Sequence, residues 1–483
     1  MRRLLAKYES MPLPAKAAFW FAVCSAVQSG AAFLAIPILT RMMSQEQYGI
    51  VTLYNSWRQI VAIFATLNIY CGVFNVGMAK WKESRDAYLS SMIGLTAVLV
   101  AACYLIYRLA EPLLGAVIQL PSEFMGVMMI QIFATTVFSL WSARERFEYR
   151  YHALLGMTAI YAIVGQAASI VAVQLTPEDS CKAFASVVSL SVVLLAVAIL
   201  LAARVLRRNH KLFDRVFWRH AVSFNLPLVP HYLATLILGQ ADRIMIASIN
   251  GAADAAVYGV AYTVGLMIQI VTGAITNALT PWMYGRLEVR DAHGFSERIE
   301  KIVLCVGLAN TLVIFAAPEI MAIAGPESYR LGMYVIPPVA AAMLATFVYG
   351  LFAQVEFYYE KKAGVVVAST AAAVVNIVLN FLALPVFGYW AAGYTTLLCY
   401  GLLAWGHYLY MNHVLEAKGL RGLFDGKKIL ACCLAFAPVS ALGMVLYDFP
   451  LARLCLVVGV AALAIWQRKR IAGLLSAVKG HDA

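Results

Sequence analysis

Charge is scarce in this sequence. Only 13% of its 483 residues are charged, 62% are hydrophobic and the mean hydropathy is +0.78. That excludes a water-soluble globule and leaves a polytopic membrane protein. The apolar stretches do not alternate with period two, which excludes a membrane barrel. They run for about 20 residues, the length of a helix crossing a ~30 Å hydrocarbon core, so the fold class is all-α. A cleavable leader is not expected either. Residues Met1 to Lys16 are basic and polar, and the run after them is long enough to span and has no small-residue cleavage site. The first helix is therefore expected to stay attached. The nine cysteines show no CxxC and no Cys/His ligand spacing. They read as small core hydrophobes, and neither a metal nor a cofactor is expected.

Acids are the scarcest charge, 25 Asp and Glu against 37 Lys and Arg, for a net charge of +12. Nucleic acid is not the implied partner, because the basic residues segregate by loop. Apolar runs fall near 17–39, 50–79, 86–108, 121–142, 152–175 and 181–203, then 222–249, 253–281, 298–317, 331–355, 363–384 and 388–411, with two more near 428–447 and 451–467. About fourteen helices are predicted, as six, six and two. The corresponding divisions are a lobe over 1–203, an amphipathic linker over 204–221, a second lobe over 222–412, and 413–483 as two extra helices and a tail. With the N-terminus inside, only Arg41, Arg58, Arg108, Lys182, Arg243, Arg330 and Arg453 of the 37 basic residues fall outside the inner loops. This asymmetry predicts that both termini and the linker are cytoplasmic. The linker, RVLRRNHKLFDRVFWRHAVSF, interleaves Arg and Lys with Leu, Phe and Trp, as an interfacial segment does.

Against so little charge, the adjacent Asp242 and Arg243 stand out within LILGQADRIMIASINGAADAAVYGVAYTVG. Counting from the turn at Asn250, Arg243 lies roughly 10 Å below a membrane face. Intramembrane ionisable groups usually face a cavity or a partner. Arg58 lies deeper, roughly 15 Å from the start of its span. It shares a polar patch with Asn55 and Gln59. Asp242 is expected either to pair with an arginine or to carry a proton, and the pair is favoured because a neighbouring arginine lowers an aspartate pKa. Arg41, Arg58 and Arg243 against the single intramembrane carboxylate Asp242 imply an anionic substrate, since guanidinium groups match phosphate and carboxylate oxygens. Polar span residues such as Gln28, Asn75 and Gln131 are candidates to hydrogen-bond sugar hydroxyls. The halves also resemble each other. YGIVTLYNSWRQIV from Tyr48 aligns with YGVAYTVGLMIQIV from Tyr258, which sets Gln59 on Gln269 and, with eight extra residues in the second turn, Arg41 on Arg243. Internal duplication places a transporter's substrate between repeats.

The segments ILTRMMSQEQYGIVTLYNSW and GQADRIMIASINGAADAAVYGVAYTVG resemble the bacterial polysaccharide flippases, the Wzx-type O-antigen transporters of the multidrug/oligosaccharidyl-lipid/polysaccharide (MOP) superfamily. The resemblance implies a two-lobed, V-shaped bundle in the cytoplasmic membrane. Such a protein moves an undecaprenyl-diphosphate-linked oligosaccharide by alternating access through a cationic cavity, and other membrane proteins of polysaccharide assembly are its implied partners. Arg41, Asn55, Arg58, Asp242, Arg243, Gln59 and Gln269 are the residues here that would serve it. Two other functions compete. A membrane polysaccharide polymerase or glycosyltransferase needs a large outer loop with catalytic acids, and the outer turns here are short, so an enzyme is not expected. A drug/cation antiporter of the same superfamily needs intramembrane carboxylates in excess of arginines.

Overall fold

The computed structural model describes residues 11–466 apart from 291–293 and 421–422. Both chain termini, whose cytoplasmic placement the sequence predicts, therefore lie outside the described residues. Among those described, the ordered segments are helical. They begin with α1 (Leu13–Met42), α2 (Gln45–Thr66), α3 (Val73–Lys80), α4 (Arg85–Leu109), α5 (Glu111–Ile118) and α6 (Ser122–Phe147). Next come α7 (Tyr151–Ala159), a π-helical turn (Ile160–Val164), α8 (Gly165–Leu175), α9 (Asp179–Arg208), α10 (Arg215–Asn225) and α11 (Val229–Ile249). The second half contains α12 (Ala252–Gly265), α13 (Ile268–Glu288), α14 (Phe295–Phe315), α15 (Ala317–Ala324), α16 (Ile336–Tyr358), α17 (Lys362–Phe387), α18 (Trp390–Ala417), α19 (Gly426–Val445) and α20 (Pro450–Trp466).

Each predicted apolar run corresponds to helix. Ten helical stretches among the described residues are long and apolar enough to cross a membrane, or eleven if α14 and α15, bent by 57°, form one span. Fourteen is not reached by that measure. The helix α2 has 22 residues but carries Asn55, Arg58 and Gln59. The 28 residues of α18 are broken up by Thr, His, Asn and Tyr, and α20 has only 17. Predicted spans also break where the chain must turn. The run over 50–79 ends at Thr66, because Leu67 and Asn68 adopt positive φ, and Pro318 in the first turn of α15 cannot continue α14.

The chain packs as two compact units, 1–240 and 241–483, the division falling inside α11. In the first, Phe74, Tyr88, Met92, Val137, Leu140 and Leu201 centre the core. In the second, Met283, Phe295, Val303, Leu351, Phe352 and Met411 do so. Side chains such as Leu105, Ile106, Ile199, Phe381 and Leu382 are exposed, as lipid-facing residues are. Close packing and hydrogen bonds hold helices together in that setting, not exclusion of water.

The linker is built into the first unit. Asp214 caps α10, accepting from the backbone N–H of Val216 at 2.8 Å and of Phe217 at 3.1 Å. Trp218 Nε1 donates to the Ser91 carbonyl at 3.0 Å, Ser90 Oγ donates to that of Lys211 at 3.1 Å, and Phe217 packs edge-on against Trp81 and Tyr88. A Cβ at Gly94 would lie 2.1 Å from the Leu212 carbonyl oxygen, so only glycine lets the linker backbone approach α4 this closely. Leu212, Phe213 and Val216 remain exposed.

Candidate functional site

Asp242 is 1% exposed on α11. Its Oδ1 accepts from Asn380 Nδ2 of α17 at 2.6 Å, and its Oδ2 from the hydroxyls of Tyr258 of α12 at 2.8 Å and Thr396 of α18 at 2.6 Å. Asn380 is oriented in turn by Asn376 at 3.3 Å and by the Thr395 hydroxyl, which donates to its Oδ1. Three neutral donors thus satisfy the Asp242 oxygens, and the positive charge of the adjacent Arg243 also acts on them. Hydrogen bonds to a charged group contribute about 1.5–3 kcal/mol each, which together offset the several kcal/mol it costs to bury a carboxylate. Arg243 is buried with its guanidinium 4.3 Å above the Tyr262 ring. The two parts of the motif read from sequence, the Asp-Arg pair and the Tyr-Gly helix start, meet here because α12 runs back beside α11. Gln269 Nε2 of the same unit lies 3.0 Å from Met343 Sδ.

In the first unit, Arg41 is exposed at the end of α1, its Nη1 donating to the Pro37 carbonyl at 2.8 Å. The helix α1 ends one residue later, whereas α11 runs on from Arg243 to Ile249. The aligned arginines therefore differ in burial. Arg58 lies one turn beyond Tyr54, whose hydroxyl donates to Gln131 Oε1 at 2.7 Å. Its charge reaches Tyr54, Tyr70 and Tyr161, and its Nε is buried without a hydrogen-bond partner. Asn55 donates to the Val51 carbonyl, while Gln59 Oε1 accepts from Gln240 at 3.2 Å.

Tyr70 and Tyr161 also line a cavity of about 540 Å³ with Gln28, Asn75, Phe138, Ser139, Ser142, Ala143, Arg146 and Phe147. The π-helical turn at 160–164 carries Tyr161, stacked on Phe138 at 4.2 Å. Such turns re-aim side chains and recur at functional sites. Arg146 is the only charged residue in this lining, and its guanidinium lies 6.0 Å from the Phe21 ring centroid. The cavity thus offers hydroxyls, amides, ring faces and one cation. Of these residues the sequence marks Gln28 and Asn75 as hydrogen-bonding candidates. It misses Arg146, which reads as one of several loop arginines, and both tyrosines, whose convergence depends on the break after α2 and on the π-turn.

A second omission lies in the other unit. Glu356 of α16 is 0% exposed and His407 of α18 is 1%, with Glu356 Oε1 2.8 Å from His407 Nδ1. Glu356 Oε2 and His407 Nε2 are buried without partners. The predicted span 331–355 stops one residue short of this acid, which hid it among loop residues. Asp242 is therefore not the sole buried acid. Among the described residues, the buried charges are Arg144, Arg243 and Arg453 against Glu145, Asp242 and Glu356. The arginine excess inferred for the spans from Arg41, Arg58 and Arg243 does not extend to the buried charge of the described residues, and Arg146, the cation of the first unit's cavity, is not among those three.

A model of the family described as polysaccharide biosynthesis protein matches residues 15–285, and the chain belongs to that family. No curated protein matches the sequence. Among solved structures it is similar to the lipid II flippase MurJ in an inward closed conformation, with TM-score 0.64 and 12% identity over 93% of this chain and 99% of that one. It is also similar to an inward-facing multidrug resistance MATE family transporter, with TM-score 0.61 and 13% identity over 83% and 98% of the two chains. A MOP superfamily transporter from Pyrococcus furiosus, described as having a binding pocket of reverse polarity, matches with TM-score 0.56 and 12% identity over 84% and 96%. The fold is that of these flippase and transporter structures, and the chain is a multi-pass membrane protein.

Proposed function

We propose that the protein is a flippase that moves an undecaprenyl-diphosphate-linked oligosaccharide, an O-antigen or other surface polysaccharide repeat unit, across the bacterial cytoplasmic membrane by alternating access. Family and fold support this reading, and one observation carries it: the first unit's cavity combines sugar-binding chemistry with a single charge, which is positive. Hydroxyl and amide groups suit a glycan, tyrosine and phenylalanine faces suit its rings, and a guanidinium suits a diphosphate. A cationic drug would meet no carboxylate there. In this reading the basic helix ends and both termini face the cytoplasm. The lobes comprise 1–203 and 222–412, joined by 204–221, with 413–483 as an addition. Arg41, Asn55, Arg58, Gln59, Asp242, Arg243 and Gln269 serve the substrate's route.

The test is flipping of a fluorescent lipid-diphosphate oligosaccharide in proteoliposomes. Arg146→Ala and Arg58→Ala should each slow it by about ten-fold or more, the loss of one charge-assisted contact, with Lys recovering part. If both alanine variants flip normally, or if a lipophilic cation is carried in place of the glycan, the proposal is wrong.

A further inference from the structure

The inner framework of the first unit leaves a second, shallower cavity on different residues. It has a volume of about 350 Å³ and lies where the basic ends of α4, α6 and α9 meet. Five cations line it, Lys82, Arg85, Arg144, Arg150 and Arg208, with three carboxylates, Glu83, Asp86 and Glu148. Two of the acids are already engaged. Arg144, 5% exposed, holds Asp86 at 2.5 Å and lies 3.6 Å from Glu148, and Arg150 holds Glu148 at 3.0 Å. Against Glu83 this leaves Lys82, Arg85 and Arg208, none of which makes an ion pair within 4 Å among the described residues, although the Arg208 charge reaches the buried Glu145. Arg85 is fixed in direction by its Nε bond to the Met78 carbonyl at 3.0 Å and by the Phe147 ring 4.6 Å beneath it. Arg144 Nε, buried in the same lining, has no hydrogen-bond partner.

The neighbourhood identifies the ligand's chemistry. Arg208 and Asn209 of the lining belong to the linker, in which Leu212, Phe213 and Val216 are 45%, 61% and 64% exposed. Uncovered apolar side chains beside unpaired cations, at the end of three spans, mark the depth at which acyl chains give way to headgroups. A phosphate there would meet guanidinium groups in fixed orientation, which hold phosphate oxygens through paired N–H donors.

We propose that this cavity binds the phosphate of a membrane lipid, either an acidic glycerophospholipid or a polyprenyl diphosphate. Such binding requires no transport and is independent of the role given to the larger cavity. The experiment is native mass spectrometry of the full chain in detergent, titrated separately with phosphatidylglycerol, undecaprenyl diphosphate and diacylglycerol. A phosphate lipid should be retained about ten-fold or more tightly than diacylglycerol, and Lys82→Gln with Arg208→Gln should remove most of that difference. Which of the two phosphate lipids is retained identifies the source. Lys82→Arg with Arg208→Lys should keep the binding, which separates loss of charge from misfolding. Arg215→Gln with Arg219→Gln, on α10 but outside the lining, should leave it unchanged. Equal retention of diacylglycerol, an unaffected Lys82/Arg208 variant, or an equal loss from the α10 pair would each overturn the proposal.

Discussion

Replacing Asp242 separates two ways of stabilising a buried carboxylate. Asp242→Ala strands the Asn380 amide and the hydroxyls of Tyr258 and Thr396, all buried. Each stranded donor costs about 1–3 kcal/mol, so the variant should lose on the order of 3–9 kcal/mol, toward the lower end because hydroxyls can rotate to other acceptors. At about 2–4 °C per kcal/mol for a unit of this size, the melting temperature in detergent should fall by roughly 6 °C or more. Asp242→Asn keeps one acceptor oxygen and should lose much less. An Asp242–Arg243 ion pair predicts something different, since removing both partners would leave no uncompensated charge and would restore stability. With neutral donors, the Asp242→Ala/Arg243→Met protein should melt no higher than Asp242→Ala, because the stranded groups do not depend on Arg243. A double-mutant cycle followed by thermal melting of purified protein decides. Recovery of the wild-type melting temperature in the double variant would refute the reasoning, as would an unshifted Asp242→Ala.

The Glu356–His407 contact should behave as a buried hydrogen bond: His407→Ala leaves the Glu356 carboxyl without its partner and should cost about 1–3 kcal/mol, while Glu356→Gln/His407→Gln should recover folded yield on size-exclusion chromatography. At the linker, the Lys211 ammonium first, and then the backbone N–H groups of Phe217 and Val216, hold the Asp214 carboxyl below its ordinary value. A depressed folded-state pKa means that the stabilisation is present above about pH 4 and is lost as pH falls through the lowered value. Proteolysis within 209–216 should therefore increase on acidification in the wild type, and already at neutral pH in Asp214→Ala, which lacks a cap contributing ~1 kcal/mol. Gly94→Ala should loosen the same segment by driving a methyl into the Leu212 carbonyl, and a protease-resistant variant would contradict that contact.

Class, helix positions and the Asp-Arg and Tyr-Gly motifs are legible in the sequence by itself. A bilayer imposes length and apolarity on every span, and both are properties of consecutive residues. Tertiary structure decided how the polar residues are used. Asp242 is adjacent to Arg243 in the chain, yet its oxygens are taken by Asn380, Thr396 and Tyr258, brought in by α17, α18 and α12. The first unit's cavity gathers Gln28, Tyr70, Asn75, Arg146 and Tyr161 from across the unit. Two of these depend on the positive φ at Leu67 and Asn68 and on a π-turn inside an apolar run, neither of which alters composition. Glu356 reads as a loop acid because one residue separates it from the predicted span end, whereas packing of α16 on α18 places it wholly inside beside His407. Hydropathy reports how far a residue lies along a helix. Which face that residue occupies, and what meets it there, is set by the packing of helices distant in sequence.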